Sequence, residues 1–302
     1  MLNVILETCA GTLTQGLIYA ILSYGIFITY KILDFPDLTV DGSFPLGAAV
    51  TAVLLTHGVN AWLTLPIALV IGALAGLCTG LIHVRAKVRD LLAGIITMTA
   101  LYSINLQIAG SNLMVERAVD TIYTSAPVMA VLGSVPLLYR KLIVSLVLTV
   151  LIGLVLEWYF STKNGLLLRA VGDNDTLVTT LAVDKGRMKI LGLVIANALV
   201  ALSGCIVCQE GRSFSATMGT GQMVFGLAAV IIGTTLFRRM SFVKGTAAVV
   251  IGSILYKACI QIAILLGLPG NMLKFITAAL FLVILITGNL SGRKGGADRA
   301  GA

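Results

Sequence analysis

The sequence predicts an all-α polytopic membrane protein with about eight or nine transmembrane or re-entrant helices. Of its 302 residues, 58% are hydrophobic and 11% are charged, whereas soluble domains carry about 25% charged residues. The mean hydropathy of the chain is +1.02. A soluble protein of this size needs a charged shell that so few charged residues cannot form, so lipid is expected to cover much of the surface.

Nine hydrophobic segments are predicted to form the helices. Backbone polar groups inside a bilayer must find partners within the protein, and these runs are longer and more continuously apolar than barrel strands. The segments are 12–32, 44–57, 61–84, 90–109, 141–160, 188–208, 221–237, 245–266 and 272–289. Residues 1–290 are therefore predicted to form one transmembrane domain, and residues 291–302 a disordered cytoplasmic tail.

The distribution of basic residues predicts the orientation of the chain. If the N-terminus lies outside and the spans alternate, fifteen of the 21 Lys and Arg residues fall on one face. The positive-inside rule places that face, with the polar run 163–189 and the C-terminus, in the cytoplasm. Topology then explains the net charge of +8, and no nucleic-acid partner is expected. The N-terminal residues lack a signal-peptide pattern, so the first span is expected to be retained.

The stretch before the second segment predicts a broken or re-entrant element. Pro36, Gly42 and Pro45 interrupt helical pairing, and Ser43 is the expected N-cap of the helix that follows. That helix of about 14 residues spans only about 21 Å. Bilayers tolerate such elements where protein or a water-filled cavity surrounds them; the alternative is a loop that caps an ordinary short helix.

A stripe of small residues in the third segment predicts close helix packing. Gly72, Gly76 and Gly80 recur at four-residue spacing, which lets two helix backbones approach closely. Packing within the chain is favoured over a face between two copies.

The sequence does not predict an enzyme. His57 and His83 are its two histidines, which is too few for the usual histidine-based zinc or nucleophile sites, and no phosphate-binding G-x-x-x-x-G-K-[ST] motif occurs. No cofactor or metal is expected in this chain, and any use of ATP must come from a partner.

Polar side chains within the spans are the candidates for a solute pathway. The predicted lining residues are Asp37, Asp41 and Ser43 in the broken element, Thr97, Met98, Tyr102 and Asn105 in the fourth segment, and Asn197 in the sixth. Interhelical hydrogen bonding is an equally open interpretation of the uncharged ones. Lys257 lies in the middle of a span, where it is either a pathway residue or paired with a neighbouring helix.

The polar run Gly165–Gly186 predicts a cytoplasmic amphipathic helix. Asp173, Asn174 and Asp175 suit its N-terminus, and Leu177 and Leu181 lie on an apolar edge. Such a helix fits a groove on another protein; the alternative is a helix that lies on the lipid surface.

Several motifs resemble a known transporter family. Leu168–Asn174, Asp184–Lys189 and Ala198–Gly204 resemble the permease subunits of ABC importers of the branched-chain amino acid and ribose type. Leu33–Ala49, Asp90–Ile95, Met98–Leu106 and Gly226–Gly233 are similar to the branch predicted to import tryptophan or tyrosine. The likeness covers nearly the whole chain, in order.

The resemblance implies an importer permease that imports an amino acid across a bacterial cytoplasmic membrane. It implies a homodimer that works with two copies of an ABC ATPase, which bind ATP and magnesium, and with an extracytoplasmic substrate-binding protein. The alternative functions are an ATP-independent secondary transporter or channel, and a receptor-like scaffold.

The resemblance also assigns the element Arg169–Val183 as the coupling helix that docks on the ATPase. The coupling residues it implies are Arg169, Gly172, Asp173, Asn174, Leu177 and Leu181. Two positions depart from the family pattern: Ala182 stands where Gly is usual, and Thr234 where an acidic residue is frequent. On the outer face, Arg117, Arg140 and Arg212 are candidates to pair with the binding protein or to be solvated.

Overall fold

The computed structural model of the chain describes residues 2–173, 184–237 and 244–267, together with residues 275, 278, 279, 282 and 283. Helix α1 (Leu2–Ile26) continues as a π-helix (Phe27–Ile32). The other helices are α2 (Val40–Thr56), α3 (Ala61–Val84), α4 (Asp90–Ala109), α5 (Ala126–Leu132), α6 (Leu137–Ser161), α7 (Lys163–Asp173), α8 (Lys185–Gly211), α9 (Gln222–Leu236) and α10 (Gly245–Leu265). The two strands are β1 (Asn112–Met114) and β2 (Ser213–Ser215).

Six of the described helices are long and apolar enough to cross a membrane. They are Leu6–Ile32, α3, α4, α6, α8 and α10, and the two shorter apolar helices are α2 and α9. The bounds of α3 and α4 equal the predicted 61–84 and 90–109, and the helical class is confirmed. The predicted ninth segment, 272–289, and the tail, 291–302, lie largely or wholly outside the described residues.

The connections gather at two opposite ends of the bundle. At one end β1 pairs antiparallel with β2, with Leu113 opposite Phe214. At the other end a Cβ on Gly186 would lie 2.6 Å from Val84, so the end of α3 meets the start of α8. With the short apolar helices α2 and α9 included, successive membrane helices run in alternate directions; α1 and α3, which are separated by α2, both run toward this second end. The second end carries most of the basic connections and is called the basic end below.

The β1–β2 ladder is a small departure from the all-α prediction. Each strand has three residues, too few for an alternating pattern to stand out in the sequence. Phe214 is 2% exposed, while its neighbours Ser213 and Ser215 are half-buried. The ladder joins the chain that leaves α4 to the chain that leaves α8.

The glycine stripe on α3 packs within the chain, as predicted. A Cβ on Gly72 would lie 2.4 Å from Asn197 O, and one on Gly76 would lie 2.2 Å from Leu193 O. Real Cβ atoms do not approach this closely, so glycine is what lets α3 and α8 touch backbone to backbone. This contact fixes α8 at the centre of the bundle.

The short helices α2 and α9 begin inside the bundle and run toward opposite ends. Ser43 bonds Asn197 near the middle of α8, and a Cβ on Gly47 would lie 1.9 Å from Ala201 O, so α2 follows α8 toward the strand end. A Cβ on Gly226 would lie 2.2 Å from Ile26 Cδ1, so α9 follows α1 toward the basic end. Two helix N-termini thus meet in the interior, as in transporters built from discontinuous helices.

Candidate pathway and coupling sites

The broken element before α2 is held by a buried hydrogen-bond network. Asp37 is 1% exposed; its Oδ1 accepts from Thr39 N at 2.9 Å and its Oδ2 from Asn197 Nδ2 at 2.7 Å. Ser43 Oγ donates to Asn197 Oδ1 at 2.7 Å. The Thr39 and Thr79 hydroxyls lie 2.8 Å apart. The network ties the segment before α2 to both α3 and α8.

The prediction that Ser43 is the N-cap of α2 was wrong. The helix begins at Val40 and its N-cap is Thr39. Asp37 accepts the Thr39 N–H and so turns the chain into the helix four residues before Ser43. Ser43 then lies one turn inside α2, where its hydroxyl bonds Thr39 O and Asn197.

Asp41 connects the starts of the two short helices. Its backbone lies in the first turn of α2, while its Oδ1 accepts from Met223 N at 2.8 Å and its Oδ2 from Gly221 N at 3.0 Å. The carboxylate therefore satisfies backbone donors at the start of α9, where negative charge is favoured. One side chain thus couples α2 to α9.

The segment that leads into α9 packs on the first turns of α2. Pro45 has no N–H and so cannot donate to the Asp41 carbonyl four residues before it. A Cβ on Gly219 would lie 2.0 Å from that carbonyl oxygen and 2.7 Å from Pro45 Cδ. Only glycine fits at this position.

A cavity of about 350 Å³ opens beside this junction, between α2 and α4; we call it the α2–α4 cavity. Its lining residues are Asp41, Gly42, Pro45, Met98, Thr99, Tyr102, Asn105, Ala216, Thr217 and Thr220. Four of the eight predicted pathway residues line it: Asp41, Met98, Tyr102 and Asn105. Thr217 and Thr220 were missed, although their polar stretch precedes a short helix just as the broken element precedes α2.

Asn105 lines the α2–α4 cavity and has a buried acceptor without a partner. Its side chain is fully buried, and its Nδ2 donates to Gly42 O at 3.1 Å. Among the described residues no group donates to its Oδ1. Buried polar atoms are nearly always hydrogen-bonded, so this oxygen would gain a partner if the wall of the cavity moved to expose it.

The other four predicted pathway residues lie outside this cavity. Asp37, Ser43 and Asn197 belong to the buried network, and Thr97 is 5% exposed with its hydroxyl bonded to Ala93 O at 3.0 Å. For Ser43 and Asn197 the geometry matches the interhelical hydrogen bonding that was the open alternative, whereas the Thr97 hydroxyl bonds within its own helix.

A second cavity, of about 440 Å³, lies on the other side of the segment that leads into α9; we call it the Lys257 cavity. Its lining residues are Tyr19, Thr217, Met218, Thr220, Gly221, Gln222, Val224, Phe225, Lys257, Ile260 and Ala278. Lys257 Nζ lies 3.6 Å from the centroid of the Tyr19 ring and 5.1 Å from that of Phe225. The aromatic neighbours were not predicted, because Tyr19 and Phe225 have the spacing of ordinary core residues.

At the basic end, α7 is docked firmly on the rest of the bundle. Thr162 Oγ1 accepts from Gly165 N at 3.3 Å, which caps the helix. Leu168 and Val171 are buried. A Cβ on Gly172 would lie only 1.6 Å from Ile32 O, so α7 touches the π-helix directly. The helix α7 overlaps the first residues of the predicted helix Gly165–Gly186 and of the coupling element Arg169–Val183. The prediction that Asp173 lies at a helix N-terminus was wrong, because Asp173 is the last residue of α7.

Arg169 is the coupling candidate whose surroundings are best defined. Its guanidinium lies 4.9 Å from the centroid of the Phe160 ring. It lines a cavity of about 280 Å³ together with Glu157 and Lys244; these two form an ion pair, and Thr246 donates to Glu157. The coupling candidates Asn174, Leu177 and Leu181, the side chain of Asp173 and the departure at Ala182 lie outside the described residues.

Comparison with known proteins identifies the family. Residues 8–285 match the model of the branched-chain amino acid transport system permease component. The chain belongs to this family. It is therefore an ABC transporter permease, as the sequence motifs indicated, and its family works with an ATPase and a substrate-binding protein.

Curated permeases match most of the chain. The tyrosine transport system permease protein of Clostridioides difficile (strain R20291) is 38% identical over 281 residues, which are 93% of this chain and 91% of that protein. The ribose import permease protein RbsC of Haemophilus influenzae is 27% identical over 241 residues, 78% of this chain and 68% of that protein. No solved structure matches the chain.

Thr234, which stands where the family frequently has an acidic residue, forms a hydrogen bond within its own helix. Thr234 lies on α9, and its Oγ1 donates to Val230 O at 2.8 Å. Because the hydroxyl bonds within its own helix, it leaves no buried polar group unpaired.

The three candidate arginines at the strand end of the permease differ in burial and in hydrogen bonding. Arg140 is 7% exposed and donates to Val135 O at 2.9 Å, and Arg212 donates to Glu116 O and Val119 O. Arg117 is exposed, so of the three candidates it is the most open to solvent. Nearby, burial raises the pKa of the Tyr123 phenol, which bonds Ser145.

Proposed function

We propose that two copies of this chain form the membrane pathway of an ATP-driven importer for an amino acid of the tyrosine class. Two ATPase subunits, with ATP and magnesium, drive it from the basic end, and one extracytoplasmic binding protein delivers the solute at the strand end. The observation that carries the proposal is the match to a tyrosine transport permease over 93% of this chain.

The proposed orientation follows the basic residues. The basic end faces the cytoplasm of a bacterial cell, with the N-terminus outside and the C-terminus inside. The coupling element and the cavity around Arg169 then lie where an ATPase can reach them.

The α2–α4 cavity is the proposed solute pathway. It lies where two short helices begin inside the bundle, and it combines the exposed ring of Tyr102 with the unpaired oxygen of Asn105. Apolar walls with a few convergent polar groups are typical of small-molecule sites. The buried network of Asp37, Ser43 and Asn197 supports the wall of this cavity rather than contacting the solute.

A continuous set of contacts connects the coupling end to this cavity. The backbone of α7 at Gly172 touches Ile32 O. The chain then runs from Ile32 through Leu33 to Asp37, which bonds Asn197, and on to Asp41, which binds the start of α9. Movement of α7 by the ATPase therefore displaces the segment that fixes both short helices, which is how a docking motion alternates access to the cavity.

The test is uptake of L-tyrosine into vesicles that contain the permease with its ATPase and binding protein. Uptake is expected to require ATP on the side of the membrane that carries the ATPase and solute-loaded binding protein on the other side. Ionophores that remove ion gradients should leave the uptake rate unchanged. Uptake that persists without ATP and follows an ion gradient would support the secondary transporter instead.

Two variants distinguish binding of the ATPase from transmission of its movement through α7 to the short helices. Leu177→Asp is expected to lose the ATPase in a pull-down, because it puts a charge on the predicted apolar edge. Gly172→Ala is expected to keep the ATPase bound but to lower uptake, because its Cβ displaces Ile32. Gly11→Ala is the matched control, since a Cβ there has no atom within 4 Å. Equal uptake by Gly172→Ala and Gly11→Ala would contradict the proposed relay.

A further inference from the structure

Lys257 carries a positive charge about halfway along α10, far from both ends of the bundle. It is the thirteenth residue of α10, half-buried, and lines the Lys257 cavity. An ionisable side chain at this depth is costly and marks a functional site by default. Its surroundings therefore indicate what it binds.

Among the described residues no carboxylate forms an ion pair with Lys257; Glu210, which pairs with Lys141, acts on it only through its charge at a distance. The ion pairs among them are Lys141–Glu210, Arg187–Asp184 and Lys244–Glu157. The predicted segment 272–289, which follows α10, contains no Asp or Glu. The ammonium instead lies over the faces of Tyr19 and Phe225, an attraction that only partly offsets the loss of water.

The remaining walls of the Lys257 cavity suit the apolar body of an amphiphilic anion. Met218, Phe225 and Ile260 offer apolar surface, and Thr217 and Thr220 offer hydroxyl groups. The cavity of about 440 Å³ is in the range of small-molecule sites. The nearby start of α9 is already neutralised by Asp41, which leaves Lys257 as the cation available to an incoming anion.

We propose that Lys257 binds the carboxylate of the transported amino acid, with Tyr19 and Phe225 holding the ammonium toward the cavity. This assignment rests on the proposed function for the identity of the solute. It adds a second site on the path, separated from the α2–α4 cavity by the segment that contains Thr217 and Thr220, which line both cavities.

The test is chemical labelling of the unaltered permease alone, in nanodiscs of phosphatidylcholine. Acetic anhydride acetylates lysines, and mass spectrometry reports the rate at each one. When L-tyrosine is present at twice its dissociation constant for the permease, acetylation of Lys257 is expected to slow by about threefold. L-Tyrosinamide, which keeps the ring and the amine but lacks the carboxylate, is expected not to protect. The exposed Lys31 is the internal control.

Equal protection by L-tyrosine and L-tyrosinamide, or protection by neither, would overturn the assignment. Because labelling needs no ATPase or binding protein, its result is independent of ATP-driven uptake, so the proposed function and this site can fail separately.

Transport by the assembled importer gives a second measurement. Lys257→Met is expected to lower L-tyrosine uptake by about tenfold while ATP hydrolysis stimulated by the loaded binding protein continues. Lys257→Arg should retain uptake, and Lys31→Met should match the wild type. Wild-type uptake by Lys257→Met, or equal loss in Lys257→Met and Lys257→Arg, would contradict a carboxylate site.

Discussion

Replacing Asn197 with Ala tests the network that holds the broken element. The Asn197 amide donates to Asp37 Oδ2 and Leu193 O and accepts from Ser43 Oγ. Interhelical hydrogen bonds in membrane proteins contribute about 0.6 kcal/mol each, and an unpaired buried acceptor costs about 1–3 kcal/mol. Two interhelical bonds and one unpaired carboxylate oxygen together give an expected destabilisation of about 2–4 kcal/mol.

The assay is thermal unfolding of the purified permease in detergent, followed by tryptophan fluorescence. At about 2–4 °C per kcal/mol for a chain of roughly this size, Asn197→Ala should lower the Tm by about 4–16 °C. Asn164→Ala, which removes an exposed amide from α7, should leave the Tm unchanged.

A double-mutant cycle of Asn197→Ala with Asp37→Ala tests whether the two side chains stabilise the permease through their shared hydrogen bond. The two residues share a hydrogen bond, so the double variant should be less destabilised than the sum of the single variants. Additive effects, or a Tm of Asn197→Ala equal to that of Asn164→Ala, would show that the network does not hold α2 to α8.

Three further predictions address packing, capping and the cavity. Gly76→Ala should reduce the folded yield while Gly11→Ala does not, because only the Cβ at Gly76 would meet a backbone oxygen, at 2.2 Å; equal yields would contradict the packing. Asp41→Ala should cost about 1 kcal/mol through loss of the α9 cap and speed hydrogen exchange at Gly221 and Met223, whereas unchanged exchange would argue against the cap. Asn105→Leu should lower uptake of L-tyrosine more than Thr99→Val, which removes a hydroxyl that bonds within its own helix; equal uptake would remove Asn105 from the pathway.

Much of the fold could be predicted from hydrophobicity alone. The bounds of α3 and α4 are sharp in the sequence because Asn60 caps one helix and Gly110, with φ of 68°, ends the other. The start of α2 could not be predicted as reliably. Asp37 determines it through a hydrogen bond to Thr39 N, and the same carboxylate depends on Asn197, which is 160 residues away.

The candidate sites were likewise predictable only in part. Asp41, Met98, Tyr102 and Asn105 line one cavity and could be singled out because they lie on two short stretches of chain; their part in a solute pathway stays a prediction. Tyr19 and Phe225 were missed because an aromatic residue in an apolar helix has the same sequence pattern whether it packs in a core or faces a cation. Only tertiary packing, which brings α1, α9 and α10 together, separates the two roles.

The π-helix at the end of α1 has a consequence for the rotation of the chain. Leu33 N bonds Ile28 O at 3.0 Å and Phe35 N bonds Thr29 O at 2.9 Å, so this turn holds more residues than an α-helical turn. Each residue of an α-helix advances by about 100°. Removing one residue between Phe27 and Ile32 would restore ordinary winding and rotate by about 100° the point at which the chain leaves the helix at Leu33. The extra residue therefore sets the direction in which the chain leaves the first span toward Asp37, whose partner Asn197 lies far along the sequence.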